Sequence, residues 1–302
     1  MQESAGTTRS SYRAVPWQLS FLALGVVWGC SFWWIKLALR SLTPIDVAFG
    51  RLALGALILF TIAAGTSTPL PHRRDTWRHL FVLALFLNSA PFTLLAIGEI
   101  RVSAALAGII NALTPAATFC LSITLFRIER PSYRQVAGLG LGFGGVLIVC
   151  GIWQGVGNSQ LVGIGACLLS VLSFGIAFLY AARFLAHLPD PPLSLAAGQV
   201  VCGAVQLLPF VVLFGRVPEQ VYAGPIAGMI GLGALSTGFA YILNFYVVRE
   251  ASATVASSVT YLIPIVAVVV GAIFLGERLA WFQPLGGGII VLGATLLRST
   301  TK

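Results

Sequence analysis

Long apolar stretches alternate with short polar segments along this chain, and ten such stretches fill most of it. Each contains about 20 residues, the length that an α-helix needs to cross a bilayer core of roughly 30 Å. They are apolar on every side, whereas membrane β-strands would alternate apolar and polar residues over about ten positions. The pattern therefore predicts an all-α integral membrane protein with ten transmembrane helices.

The predicted helices, numbered 1 to 10 in chain order, run from Trp17 to Leu39, Ile45 to Gly65, Leu80 to Ile97, Ser103 to Phe126, Val136 to Ile152, Leu161 to Leu185, Leu193 to Phe214, Ile226 to Val248, Ser252 to Leu275, and Trp281 to Leu297.

The composition supports a membrane protein. Of the 302 residues, 58% are hydrophobic and only 9% are charged, whereas a soluble chain usually carries about 25% charged residues. A water-soluble enzyme and a disordered chain are therefore excluded, and the lipid bilayer is an expected partner. No metal-ligand spacing or cofactor motif is present. An intramembrane enzyme is disfavoured, because His72, His79 and His187 lie in loops or at a helix edge and the sequence contains no nucleophile motif.

The distribution of positive charge indicates topology. A net charge of +9 could suggest nucleic-acid binding, but twelve of the 18 Lys and Arg lie in the two tails and in the loops predicted on the same side as the tails. Basic residues are concentrated on the cytoplasmic side of membrane proteins. Both termini are therefore predicted to be cytoplasmic, and nucleic acid is not an expected partner.

The two halves of the chain match each other at a period of about 148 residues. Pro44 matches Pro192, Pro115 matches Pro264, and the Gly-rich helix 5 matches helix 10. Because five helices are an odd number, the second copy must enter the membrane from the opposite side. The repeats are therefore inverted, as in many secondary transporters, whose substrate site lies near the midplane between the repeats. The predicted organisation is a cytoplasmic tail 1–16, a first repeat 17–152, a linker 153–160, a second repeat 161–297 and a cytoplasmic tail 298–302.

Polar and aromatic residues within the predicted helices are the candidates for a substrate chamber, since polar side chains inside a membrane tend to face the bundle interior. Thr237, Tyr241 and Asn244 stand at i, i+4 and i+7, on one face of helix 8. Ser and Thr can instead bond to their own backbone or join helices. The predicted substrate-binding residues are Trp28, Ser31, Asn88, Phe92, Asn111, Ser173, Tyr180, Thr237, Tyr241, Asn244, Ser257 and Tyr261.

Helix-breaking residues occupy corresponding positions in the two halves, which makes them candidate hinges. Pro115 corresponds to Pro264, and Pro91 corresponds approximately to Gly238. A break of this kind leaves backbone carbonyls without a hydrogen-bond partner and lets the helix bend. Alternatively, the kink only helps the helices to pack. The small-xxx-small spacings of helices 5 and 10 favour close packing within a monomer, with a dimer face as the alternative.

The charged residues bear on the transport mechanism. No acidic residue lies at a predicted midplane, so facilitated diffusion or exchange is favoured over proton coupling. Glu99 and Glu277 adjoin basic residues at helix ends and are predicted to be solvated or paired. Lys36 and Arg51 lie deeper. They are predicted to reach the interface with their charged ends, and binding of an anionic substrate is the alternative.

Motifs at both ends of the chain resemble one transporter family. The first helices carry Trp28-Gly29-x-Ser31-Phe32, followed by Lys36, Pro44 and Arg51, and the second half carries Pro264 and Gly276-Glu277-Arg278. This pattern resembles the drug/metabolite transporter superfamily, specifically its EamA-type members, and is similar to their aromatic amino-acid exporter branch. In the first half Ile128 replaces the equivalent of Gly276. The resemblance implies a ten-helix carrier of the bacterial inner membrane that exports metabolites, commonly amino acids or their analogues.

The sequence thus predicts a secondary transporter for amino acids or similar small amphiphiles, working by alternating access through a mostly uncharged central cavity. The apolar part of the substrate is expected against Trp28, Phe92 and Tyr241. Two alternatives remain open. One is a proton-coupled drug or metabolite exporter, and the other is a phosphate-ester or nucleotide-sugar exchanger that uses Lys36 and Arg51.

Overall fold

The computed structural model describes residues 16–125, 132–154, 157–185, 187–216, 218, 220, 222–251 and 258–297. These residues form ten membrane-spanning segments, eight of them long apolar helices and two of them shorter. The segments are α1 (Trp17–Ala38), α2 (Pro44–Gly65), α3 (Arg74–Glu99), α4 (Ala104–Thr124), α5 (Tyr133–Cys150), α6 (Asn158–Phe184), α7 (Pro192–Phe214), α8 (Ala223–Glu250), α9 (Leu262–Leu275) and α10 (Phe282–Leu297).

Most predicted boundaries agree with these segments to within a few residues, but α3 begins six residues before the predicted Leu80. Its first turns carry Arg74, Asp75 and Arg78, and an exposed ion pair joins Arg78 to Asp75 at 3.1 Å. Hydropathy marks where a helix meets lipid, whereas the helical backbone continues into water wherever charged side chains can be solvated.

The helix starts follow from local chemistry. At the start of α2, the Thr43 hydroxyl accepts the Asp46 N–H, the Asp46 carboxylate accepts the Thr43 N–H, and Pro44 occupies the first turn. This capping box satisfies N–H groups that have no partner within the helix. Ser132 and Gln135 form the same arrangement at the start of α5.

The packing of the helices follows the repeat. The first helix of each repeat packs against the third and fourth helices of the other, so that α1 contacts α8 and α9 while α6 contacts α3 and α4. The second helices, α2 and α7, pack together, as do the last helices, α5 and α10. The fold is therefore two inverted five-helix repeats, as predicted.

Glycines permit the close approach of α5 and α10. A Cβ atom at Gly145 would lie 2.9 Å from the Gly286 carbonyl oxygen, and one at Gly293 would lie 2.6 Å from the Gly138 carbonyl oxygen. The Gly-rich faces thus pack within the chain, which was the favoured prediction. Gly140, whose built Cβ meets nothing within 4 Å, lies outside this contact.

Four predicted hinge residues lie at interruptions of regular α-helix. Pro91 directly follows a π-helical segment, Leu85–Ser89, and Gly238 lies inside another, Gly231–Phe239. Pro115 follows a break after Asn111, and Pro264 follows a 3₁₀ turn, Ser258–Tyr261. Pro115 and Pro264 were predicted to break helices 4 and 9, and in the structure regular α-helix is interrupted shortly before each of them. Ser257 lies outside the described residues.

The helix bundle has two opposite ends. The near end is the end where Trp17 begins α1, and the far end is the opposite one, where α1 ends at Ala38. Because the helices alternate in direction, α3 and α9 also end at the far end, and α2 and α4 begin there.

Candidate functional site

A polar cluster lies where α1, α2 and α8 meet near the middle of the bundle. It consists of Trp28, Ser31, Arg51, Ser236 and Thr237 and is called the central cluster below. The Trp28 indole N–H donates to the Ser236 carbonyl oxygen at 3.2 Å, and the Ser31 and Ser236 hydroxyls share a hydrogen bond. Ser31 is 6% exposed and Ser236 is 1% exposed, so these bonds are largely shielded from solvent.

The π-helical segment of α8 positions two of these groups. Thr237 donates its hydroxyl to the carbonyl oxygen of Leu232, five residues earlier, at 3.0 Å. A π-helix inserts extra residues into the helical turn and is often found at functional sites. The extra residues change which side chains share a face. Ser236 therefore joins Thr237 in the cluster, although a regular helical period did not single it out.

Arg51 is the charged member of the central cluster and is only 6% exposed. Its Nε donates to the Thr237 hydroxyl at 3.1 Å, and its Nη2 donates to the Ser236 hydroxyl at 3.2 Å. Its guanidinium carbon lies 3.7 Å from the centroid of the Phe92 ring. Within the described residues, Arg51 forms no salt bridge with a carboxylate.

The position of Arg51 corrects two predictions. Its side chain does not extend to the interface, because it lies seven residues into α2, about 10 Å from the helix start at 1.5 Å per residue, and points inward to α8. The centre of the bundle is therefore not a mostly uncharged site. It holds a buried cation that donates hydrogen bonds to two neutral hydroxyls and lies against an aromatic ring.

A second group of polar side chains adjoins the central cluster at Tyr241. Gln199 on α7 donates its amide N–H to the Tyr241 hydroxyl at 2.9 Å. The electrostatic neighbours of this hydroxyl include Arg51 and Asn88. Asn88 is fully buried, and neither atom of its amide has a hydrogen bond of normal geometry among the described residues. Gln199 was not predicted, although a glutamine within a predicted transmembrane helix is a signal that could have identified it.

Other predicted site residues lie apart from the central cluster. Ser173 on α6 donates to the Phe86 carbonyl oxygen at 2.9 Å, which joins two helices. The Tyr180 hydroxyl lies 2.8 Å from Nδ1 of His79, and Tyr261 donates to the Ala294 carbonyl oxygen at 3.1 Å. Tyr180 lies one turn before the near end of α6, and Tyr261 directly precedes the first residue of α9.

The remaining predicted site residues that the structure describes are Asn111 and Asn244. The carbonyl oxygen of the Asn111 side chain is buried and has no partner among the described residues, and Asn111 stands at the break in α4. Asn244 is partly exposed and follows Tyr241 by three residues on α8. Their roles in binding stay predictions.

A third polar group closes the far end of the bundle. The Glu277 carboxylate accepts the N–H groups of Ala104 at 2.7 Å and Ala105 at 3.0 Å, and so caps the start of α4. The Lys36 ammonium donates to the carbonyl oxygen of Val102 at 2.7 Å and to that of Glu99. These bonds tie the end of α1 to the end of α3, and the segment after α9 to the start of α4.

These contacts correct the predictions for the charges at the helix ends. Glu99 is neither solvated nor paired, since it is 0% exposed and both its carboxylate oxygens lack a hydrogen-bond partner among the described residues. Glu277 caps a helix, and Lys36 is held by backbone carbonyls. In the described ranges, no group of three or more His, Cys, Asp or Glu side chains could hold a metal ion.

The chain belongs to the EamA-like transporter family, whose model matches residues 15–151 and again residues 161–299. It is 28% identical to an uncharacterized transporter of Archaeoglobus fulgidus over 90% of this chain and 95% of that protein. It is also 28% identical to the uncharacterized inner membrane transporter YedA of Escherichia coli K12, over 92% of this chain and 89% of YedA.

A solved crystal structure has the same fold, with a TM-score of 0.65 and 16% identity, over 93% of this chain and 95% of that chain. The family and the fold together show a multi-pass membrane transporter and not an enzyme.

Proposed function

We propose that this transporter exports amino acids, or similar small amphiphilic metabolites with a carboxylate, by alternating access around the central cluster. The observation that carries the proposal is the environment of Arg51. Its guanidinium is buried between two hydroxyls and an aromatic ring and forms no salt bridge with a carboxylate among the described residues. A guanidinium matches a carboxylate in charge and in its paired hydrogen-bond geometry.

The surroundings of Arg51 suit the rest of such a substrate. Phe92 packs edge-on against Phe174 with ring centroids 6.4 Å apart, and Trp28 lies on the other side of Ser236. These rings would contact an apolar side chain. The substrate's ammonium group would be received by the Tyr241 hydroxyl and by the amide oxygens of Asn88 and Gln199, which are oxygen acceptors that adjoin the central cluster at Tyr241.

Alternating access is supported by the placement of the helix interruptions. The π-helical segments of α3 and α8 lie in corresponding positions of the two repeats, and the Pro115 and Pro264 breaks also correspond. Movement at these positions would expose the central cluster to each side in turn, in the manner of inverted-repeat carriers. We propose that the transport itself is facilitated diffusion or exchange, without coupling to net proton movement.

The phosphate-ester or nucleotide-sugar alternative would need a second cation beside Arg51. In this structure the Lys36 ammonium donates to the carbonyls of Glu99 and Val102 at the far end. A dianionic phosphate would therefore meet Arg51 alone, which favours a monoanionic carboxylate.

Counterflow in proteoliposomes of the purified full-length protein tests the proposal. Vesicles loaded with an unlabelled amino acid are supplied with a labelled amino acid, its decarboxylated amine or a phosphate ester of similar size. We expect saturable counterflow of the amino acid and none of the amine. Equal exchange of the amine would overturn the role of the carboxylate, and exchange of the phosphate ester alone would favour the alternative substrate.

The proposed location is the inner membrane of a bacterium with both termini cytoplasmic, on the side that the Lys and Arg distribution predicts. We propose that the protein functions as a monomer, because the Gly-rich faces of α5 and α10 pack against each other. Reporter fusions at the C-terminus test the orientation, since a periplasmic phosphatase fused there should be inactive and a cytoplasmic fluorescent protein should be fluorescent.

A further inference from the structure

Glu99 is the least expected charged group in this structure. It ends α3 at the far end of the bundle and is 0% exposed, and neither carboxylate oxygen has a hydrogen-bond partner among the described residues. A buried carboxylate without a partner is strongly disfavoured as an anion and favoured in its protonated, neutral form. Burial of the Glu99 carboxylate therefore favours its protonated form in this arrangement of the helices.

The charged and titratable groups around Glu99 come from each helix packed against it. Lys36 on α1 is the nearest cation, but its ammonium hydrogens are directed to the carbonyls of Glu99 and Val102 and not to the carboxylate. Arg51 on α2 is engaged by the central cluster. The Glu277 carboxylate, which caps α4, adds a like charge, and α6 contributes the Cys167 thiol.

Only the closed far end imposes this environment. Glu99 is buried where the end of α3 meets α1, the start of α4 and α6, with Glu277 holding the start of α4. If these helix ends separated, water would reach the carboxylate and stabilise its anion, and the Lys36 ammonium would be released from the carbonyls. The closed far end thus favours protonated Glu99, and the open far end favours ionised Glu99.

We propose that Glu99 is a proton-binding site that controls the opening of the far end. A proton from water on the far side binds a Glu99 carboxylate oxygen and stabilises the closed arrangement, and its return to the same side accompanies opening. Because Glu99 lies at one end of the bundle, the proton is taken from and returned to one side. The site therefore regulates a carrier that moves no net proton. This proposal rests on the alternating access proposed above.

A native cysteine reports on the state of the far end. Cys167 is fully buried beside the end of α3, where its Sγ would lie 2.6 Å from a Cβ atom built at Gly98. We expect opening of the far end to draw the end of α3 away from α6 and so to expose this thiol to N-ethylmaleimide. Cys202 on α7 is 6% exposed and serves as a control within the same protein. Peptide mass spectrometry measures the labelling of each cysteine separately.

The experiment measures the labelling rate of Cys167 in the full-length wild type and in Glu99→Gln, at a series of pH values from acid to alkaline. Glu250→Gln is the matched control, because Glu250 forms an exposed ion pair. The amide cannot ionise, so Glu99→Gln should keep the far end closed. We expect it to label about tenfold or more slowly than the wild type at alkaline pH, with little difference at acid pH. Loss of a nearby negative charge would by itself make a thiol more reactive, so electrostatics alone cannot produce this result.

Equal labelling of the wild type and Glu99→Gln at every pH would overturn the proposal, as would faster labelling of the variant. Closure by added Na⁺ in place of acid would also overturn it. If Glu99→Gln does not fold, Glu99→Asp takes its place. The shorter carboxylate should keep the pH dependence of labelling with a displaced midpoint, and an unchanged midpoint would count against Glu99. Labelling needs no substrate, so this result is independent of whether the counterflow experiment supports carboxylate transport.

Discussion

The guanidinium carbon of Arg51 lies 3.7 Å from the centroid of the Phe92 ring, so a buried cation rests on an aromatic face at the centre of the bundle. Such contacts contribute about 2 kcal/mol or more when they are shielded from water. The other face of the polar network is formed by Ser236 and Thr237. Arg51 is thus held in place by groups that do not neutralise its charge, which leaves that charge available to an anionic substrate.

Arg51→Lys should lower transport of a carboxylate substrate by about tenfold to a hundredfold. A lysine keeps the charge but loses the planar fork and the stacking on Phe92, and hydrogen bonds to charged groups contribute about 1.5–3 kcal/mol. Initial rates of counterflow measure the effect. Arg101→Lys is the control, because Arg101 is exposed and should transport normally. Unchanged transport by Arg51→Lys would remove the guanidinium from the binding step.

Ser236→Ala should reduce transport by about threefold to tenfold while the protein remains folded. The change removes the hydroxyl that accepts from Arg51 and bonds to Ser31. The bond between the two neutral hydroxyls contributes about 0.5–1.5 kcal/mol, and Arg51 keeps its bond to the Thr237 hydroxyl. Thr295→Ala, at an exposed residue that bonds only to its own helix in this structure, should have no effect. If both variants transport like the wild type, the π-helical segment does not orient Arg51.

Trp28→Ala and Asn244→Ala should each lower transport without loss of expression. The Trp28 indole donates to the Ser236 carbonyl, so its removal also leaves that oxygen unpaired and opens a space at the central cluster. Trp28→Phe separates the two effects, since it keeps a ring and removes the donor. Counterflow and membrane expression are measured together, and normal rates in both alanine variants would place these residues outside the site.

Gly145→Ala should destabilise the packing of α5 against α10 by about 1–3 kcal/mol, the usual range for overpacking. The added methyl group would lie 2.7 Å from Ile290 and 2.9 Å from the Gly286 carbonyl oxygen. Gly140→Ala, on the same helix with nothing within 4 Å, is the matched control and should be neutral or slightly stabilising. Thermal unfolding in detergent compares the two, and equal melting temperatures would contradict the close contact.

Glu277→Ala should destabilise the protein by about 1–2 kcal/mol, because two N–H groups at the start of α4 lose their acceptor. Glu250→Ala removes an exposed carboxylate whose described partner is Arg249, and should change the unfolding free energy by less than about 0.5 kcal/mol. The same thermal assay applies. A Glu277→Ala protein as stable as Glu250→Ala would show that the cap contributes little.

The ten helices and the inverted repeat could be predicted from the sequence alone. Both can be seen along the chain without knowledge of the packing. The length of an apolar stretch indicates a membrane span, and an odd number of helices in the first repeat inverts the second. The sequence also identified the positions of the interruptions, since Pro91, Pro115 and Pro264 remove backbone donors wherever they stand. The close packing of α5 and α10 followed from their glycines in the same way.

The burial of particular charges and the contacts between distant side chains could not be predicted, because they depend on how the helices pack. Arg51 was expected to reach the interface and Glu99 to be solvated or paired, yet both are buried, because the depth of a residue along one helix does not say which way its side chain points relative to neighbouring helices. The central cluster depends on a π-helical segment that shifts the face of α8, and so brings Ser236 beside Thr237. Contacts such as Arg51 with Ser236 join residues 185 positions apart, and packing between the repeats alone brings them together.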